Sequence, residues 1–115
     1  MSKFSPDNRD VNEEAILEIA RACGYVSFDD VVKYGTAISY RGFWQQGTRM
    51  DGHDLRFYDL NGHFIVEVKN DTMPPSKRKL TPREETMRDI CYALNIPWYV
   101  VETEDQALAI FNGRR

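Results

Sequence analysis

Cysteine and histidine are scarce in this chain and a net positive charge is lacking, and each shortage narrows what it can be. Two cysteines and two histidines stand in 115 residues. Cys23 and Cys91 fall in predicted helix interiors without metal-ligand spacing, so both read as buried small hydrophobes in a reducing compartment. No phosphate-binding glycine loop and no internal repeat is present. No apolar run approaches the roughly 20 residues that a membrane span requires, and no secretory signal opens the sequence. A cytoplasmic protein without membrane contact is therefore expected. The net charge of −3 is awkward for a nucleic-acid binder. A length of 115 residues suits one domain over 1–115, large enough to bury about two thirds of its unfolded surface.

What is present is concentrated between residues 54 and 69. Asp54-Leu-Arg-Phe-Tyr-Asp-Leu-Asn-Gly-His-Phe-Ile-Val-Glu67-Val-Lys69 reads as two strands folded on each other. Asn61-Gly62 is a strong hairpin signal, because both central residues of a type I′ turn need positive φ. A two-residue loop there pairs Leu60 with His63, Arg56 with Glu67 and Asp54 with Lys69. Side chains alternate along a strand. One face then carries Asp54, Arg56, Tyr58, Ile65, Glu67 and Lys69, and the other carries Leu55, Phe57, Phe64, Val66 and Val68, with Asp59 as its only charge.

Two carboxylates and a lysine gathered at one end of a strand pair suit metal-assisted phosphodiester cleavage. Mg²⁺ or Mn²⁺ takes hard oxygen ligands, which Asp54, Glu67 and the Val68 carbonyl would provide. Such an ion polarises a phosphate and acidifies a bound water. Lys69 projects to the side of Glu67, placed to orient that water or to stabilise developing negative charge. The same spacing also arises when Glu67 and Lys69 are ordinary solvent-facing strand residues and Asp54–Lys69 is a cross-strand ion pair.

Beyond Lys69 the chain runs through Asn70-Asp-Thr-Met-Pro-Pro-Ser-Lys-Arg-Lys-Leu-Thr81-Pro-Arg-Glu84-Glu85, a basic proline loop entering a helix. Together with Gly52-x-Asp54, Glu67-Val-Lys69 and a later strand and final helix, this order resembles the VRR-NUC family of the PD-(D/E)XK nuclease superfamily. The likeness is to its small stand-alone members from phages and prophages, and it spans Asp10 to Phe111. It implies a restriction-endonuclease-like α/β core, a mixed sheet flanked by helices. It also implies a Mg²⁺- or Mn²⁺-dependent DNA endonuclease acting on branched DNA such as four-way junctions, working as a homodimer in a bacterial cytoplasm. Catalytic roles then fall on Asp54, Glu67 and Lys69. An acidic residue on the first helix often completes such a site, and helical phase favours Glu13 over Glu14. The chain departs from the family at His53, where a proline is usual, and at Glu85, aligned with a usual glutamine. The second change sets an anion where an amide would meet phosphate. The alternative function is a catalytically weak or inactive nuclease-fold module that binds DNA or a protein.

Charge placement is compatible with DNA despite the acidic total. Residues 69–83 carry Lys69, Lys77, Arg78, Lys79 and Arg83 against Asp71 alone. A local basic loop of this kind contacts phosphates or stays merely solvated. Lys77, Arg78, Lys79, Arg83, Glu85 and Arg88 are the candidate nucleic-acid contacts.

The remaining elements follow from periodicity. A helix is expected from Asp10 to Cys23, ended by Gly24. Residues 25–50 form an extended segment: a short helix from the Ser27-Phe-Asp-Asp30 cap, a strand within Thr36–Trp44, then a loop to Asp54. Tyr40, Phe43 and Trp44 with Arg41 and Arg49 serve either as core and contact residues or as stacking platforms for unpaired bases. Thr81-Pro82-x-Glu84 is a capping box with proline at the first helical position, which gives Glu84 a structural job. Met87, Ile90, Cys91 and Leu94 make the expected buried stripe. An inner strand over Pro97–Glu102 and a helix over Glu104–Phe111, capped by Thr103, complete the chain.

Overall fold

The computed structural model of the protein describes residues 9–47, 55–69 and 79–113. In chain order these form α1 (Arg9–Ala22), β1 (Tyr25–Ser27), α2 (Phe28–Tyr34), a 3₁₀ turn (Gly35–Ala37), β2 (Gly42–Gln46), β3 (Leu55–Asp59), β4 (Gly62–Val68), α3 (Pro82–Ala93), β5 (Trp98–Val101) and α4 (Glu104–Gly113). The strands make one five-stranded sheet in the order β1-β2-β3-β4-β5. β2, β3 and β4 form an antiparallel meander, while β1 runs parallel to β2 and β5 parallel to β4. The architecture is a mixed sheet with helices on both sides.

Alternation along the strands builds two apolar layers. Leu55, Phe57, Phe64, Val66 and Val68 point to one face and pack with Ala15, Ile16, Leu17 and Ala20 of α1 and with Ala107 and Phe111 of α4. Ile65 points the other way and joins Trp98 and Cys91, with Met87 and Leu80 against them, so α3 covers that face. Phe28 of α2 meets Phe43 beyond the opposite strands, with ring centroids 5.6 Å apart.

Local signals explain the helix ends. Ser27 caps α2 by accepting from the Asp30 N–H at 3.1 Å. Thr81 and Glu84 form the full capping box of α3, and Pro82 follows at its first position. The Gln106 N–H donates to Thr103 Oγ1 at 3.2 Å at the start of α4. Gly24, at φ +102°, closes α1.

Several expectations need correction. The hairpin loop is Leu60-Asn61, one residue earlier than expected, and Gly62 already pairs with Asp59. Gly62 has φ +109° while Asn61 stays outside the positive-φ region, so the turn is not type I′. Asp59 accounts for the shift: its Oδ1 accepts from the Asn61 N–H at 2.8 Å, which closes the reversal early. Arg56 therefore faces Ile65, not Glu67, and Tyr58, not Leu60, faces His63. Each partner moves by two positions, so the assignment of side chains to faces is unchanged.

The segment from 25 to 47 holds a strand, β1, that periodicity did not reveal. The neighbouring strand, β2, begins only at Gly42 and takes in Gln45 and Gln46, which were expected in a loop. β5 lies at the end of the strand order rather than inside it. On α3, Ile90 and Leu94 are exposed, and the buried stripe narrows to Cys91 with Met87 half-buried. Trp44 belongs to the core, and Phe43 stacks on Tyr58 at 4.9 Å, which favours the packing role for both. No described helix is long and apolar enough to cross a membrane.

Candidate active site

β4 sets the site. It pairs on one side with β3 and on the other with β5. Glu67 falls between Val66 and Val68, which point into the α1–α4 layer, so its side chain points with Ile65 toward α3. It is 2% exposed. Lys69 follows two residues later on the same side, and its N–H continues the ladder by donating to the Val101 carbonyl at 2.8 Å. Neither residue is the solvent-facing strand position that the spacing alone would allow.

A third side chain completes the cluster. Glu84, at the third position of α3, accepts from Lys69 Nζ at both carboxylate oxygens, at 2.9 Å and 3.0 Å. Glu67 Oε1 lies 4.0 Å from the same ammonium. Glu84 Oε1 also accepts from the Thr81 N–H at 2.8 Å, while the Glu84 N–H donates to Thr81 Oγ1 at 3.2 Å. Burial alone would raise the Glu84 pKa. Hydrogen bonds from the Glu67 carboxyl, the Lys69 ammonium and the Thr81 backbone, with the Lys69 charge, hold it instead at about 2.

The Val68 carbonyl has a defined direction. The N–H groups of Ile65 and Lys69 donate to Pro97, the residue before β5, and to Val101 at its end. By alternation, the Val68 carbonyl turns away from β5, toward the β3 side. Asp54 precedes Leu55, whose Cα partner is Val66, but Asp54 itself lies outside the described residues. Glu13 is buried, at 6% exposure, whereas Glu14 and Glu18 are exposed, as helical phase required. Only Cys23 and Gly24 join α1 to β1, so the helix folds back along the sheet and brings Glu13 toward the end where β4 finishes. The apolar residues of α1 pack on the sheet face that carries Val66 and Val68, the one opposite Ile65.

Of the candidate nucleic-acid contacts, Lys77 and Arg78 lie outside the described residues. Lys79, Arg83 and Glu85 are exposed. Arg88 is half-buried and donates to Asp89 Oδ1 at 3.0 Å. Glu85, aligned by sequence with an amide near the site, projects to solvent, while its neighbour Glu84 enters the cluster. Among the described residues, no three His, Cys, Asp or Glu side chains converge on one point as metal ligands.

Glu84 is the residue that sequence reasoning passed over. The capping box was legible, and it was taken to exhaust the side chain. A carboxylate has two oxygens and several acceptor sites, enough for the cap and for an ammonium together. The usable signal was position: the third residue of a helix reached directly from the strand carrying Glu67 and Lys69. No family model matches the chain, and neither the curated proteins nor the solved structures contain a match to it.

Proposed function

We propose that the protein is a divalent-metal-dependent DNA endonuclease with Asp54, Glu67 and Lys69 as its cleavage centre. The observation that carries this reading is the buried Glu67 beside the Lys69 ammonium, 4.0 Å away, at the end of a central strand. Burying an ionisable side chain is costly, and such groups cluster at functional sites. The chain order also supports a restriction-endonuclease-like core of the VRR-NUC type. Apart from the β1–α2 pair, it runs helix, three-stranded meander, helix, parallel strand, helix.

The donor chemistry fits Mg²⁺ or Mn²⁺: Glu67, the Val68 carbonyl and Asp54 are hard oxygen donors without sulfur or imidazole. A cation held there supplies Lewis acidity toward a phosphate oxygen and an acidified water. The protein's own groups do the rest. Lys69 donates N–H to the attacking water or to the phosphate oxygen on which charge grows. Lys79 and Arg83, exposed beside the start of α3, take up backbone phosphates, and Lys77 and Arg78 extend that basic run. The substrate proposed is branched DNA, and paired cuts across a junction call for a homodimer with two symmetry-related sites.

Cleavage of end-labelled four-way junction, flap and linear duplex DNA with Mg²⁺ or Mn²⁺ tests the reading on wild type, Glu67→Ala and Lys69→Ala. Junction-selective cutting that disappears in both variants supports it. Cutting that survives both places the activity elsewhere. The second reading, a binding module without catalysis, is favoured by the Lys69–Glu84 pair, which engages the ammonium in an internal contact. It predicts that wild type binds these DNAs and cuts none.

A further inference from the structure

We infer that the open depression at the far end of the sheet, walled by Tyr40, Phe43 and Tyr58, holds the base of an unpaired nucleotide on the strand to be cut. The inference deepens the nuclease reading above: it rests on that reading for the class of substrate, and not on the metal centre.

The depression has a volume of about 830 Å³ and is lined by Tyr40, Phe43, Tyr58, Leu60 and Asn61 together with Arg41. That size falls within the range of about 300–1,000 Å³ typical of small-ligand sites. Its walls are fixed before anything binds. The Arg41 N–H donates to the Gly24 carbonyl at 2.8 Å, and the Arg41 guanidinium donates to the Cys23 and Phe111 carbonyls at the ends of α1 and α4. Tyr40, the preceding residue, is thereby tied to two helix ends. Asp59 secures the hairpin that carries Leu60 and Asn61, through the Tyr25 hydroxyl and the Asn61 N–H. Phe43 packs between Phe28 and Tyr58, with ring centroids 5.6 Å and 4.9 Å away, so it backs Tyr58. A preformed site of this kind spends little binding energy on ordering its own walls.

Rings and reach select the occupant. Every base has a π-face, so aromatic walls accept an unpaired base whatever its identity. Tyr40 is 40% exposed and Leu60 fully exposed, which leaves the apolar lining open to a ligand. Tyr58 shares a sheet face with Glu67, because Phe57 and Val66 beside them point into the α1 layer. Tyr58 pairs with His63, and four residues of β4 separate His63 from Glu67. That is roughly 13 Å at the rise of a strand, the length of about four stacked nucleotides. One DNA strand can therefore seat a base here and a phosphate at the candidate centre. A second copy of the chain fits less well. The three rings and one leucine fall short of the about 800 Å² per partner that a stable interface buries.

Fluorescence anisotropy in EDTA, with a labelled 12-nucleotide unpaired strand and a hairpin duplex of the same composition, tests this apart from cleavage. Wild type, Tyr40→Leu, Tyr58→Leu and Tyr58→Phe are compared, with thermal melts to confirm folding. Wild type should prefer the unpaired strand. Each leucine variant should bind it about 5- to 150-fold more weakly, the range for one base-stacking contact, with duplex binding unchanged. Tyr58→Phe keeps the ring and should stay within about threefold of wild type. Leucine variants that remain folded and bind the unpaired strand as wild type does overturn the inference. So does an equal loss on strand and duplex. Tyr40 lies outside every strand, so Tyr40→Leu decides the matter if Tyr58→Leu fails to fold. A wild type that sediments as a dimer and a Tyr40→Leu protein that sediments as a monomer would assign the depression to a second copy instead. Wild type that binds the unpaired strand through these tyrosines yet cuts no DNA upholds the site and sinks the nuclease reading; cutting with unaltered leucine variants does the reverse.

Discussion

Tyr25 and Asp59 meet across the sheet: the tyrosine hydroxyl donates to Asp59 Oδ2 at 2.7 Å, while Asp59 Oδ1 accepts from Asn61 in the hairpin turn. One carboxylate thus joins the first strand to the β3–β4 reversal, at the end of the sheet away from the candidate site. Tyr25→Phe removes the bond and little volume. A loss of about 1.5–3 kcal/mol is expected, as for a hydrogen bond to a charged group, read from urea unfolding. Mn²⁺ affinity should not change.

Gly42 lies in the same row of the sheet, paired with Tyr25 and Asp59. A Cβ there would stand 2.2 Å from the Tyr58 carbonyl oxygen and 2.7 Å from the Tyr25 ring. The first neighbour is backbone and cannot step aside. Gly42→Ala should destabilise by about 1–3 kcal/mol or more through overpacking, visible as a lower melting temperature and reduced soluble yield.

The Glu84 pKa, lowered from 4.5 to about 2, gives a pH dependence with a definite sign. The folded state binds its proton less readily than the unfolded state, so the contribution is complete above about pH 4.5. It fades as pH falls toward 2. The melting-temperature gap between wild type and Glu84→Gln should be widest near neutrality and close over that interval. A gap that stays constant down to pH 2 would contradict the assignment.

Lys79 and Arg83 are exposed near the start of α3. Alanine at both should weaken binding to junction and duplex alike and flatten the salt dependence by about one unit per lost phosphate contact. Mn²⁺ affinity should hold. Fluorescence-anisotropy titrations at several salt concentrations provide the check.

Legibility followed the physics of each segment. Caps and longer periodic elements were readable: Ser27, Thr81 and Thr103 each sit where their helices begin, because a cap is a local contact within a few residues. β1 was not readable. A strand of three residues, Tyr25–Ser27, has no room for a period and owes its pairing to β2, across a helix and a turn. The hairpin register slipped because Asp59 offered the turn a side-chain acceptor that the Asn-Gly rule does not weigh. Ile90 and Leu94 misled because α3 presses on the sheet along a narrower line than its apolar residues suggest. At the site, the Glu67–Lys69 side followed from alternation. The entry of Glu84 depended on how α3 returns over β4, a tertiary fact.

Glu84 and Glu85 are the same amino acid at adjacent positions, and they have very different freedom to vary. At position 84 a replacement must reach back to Thr81 and also face a lysine with negative charge, which glutamate alone does among the twenty side chains. At position 85 the side chain projects to solvent from a helix that most residues tolerate. Random mutagenesis under selection for function should therefore leave position 84 almost fixed while position 85 drifts, a contrast invisible to any reading that treats the pair as one acidic patch.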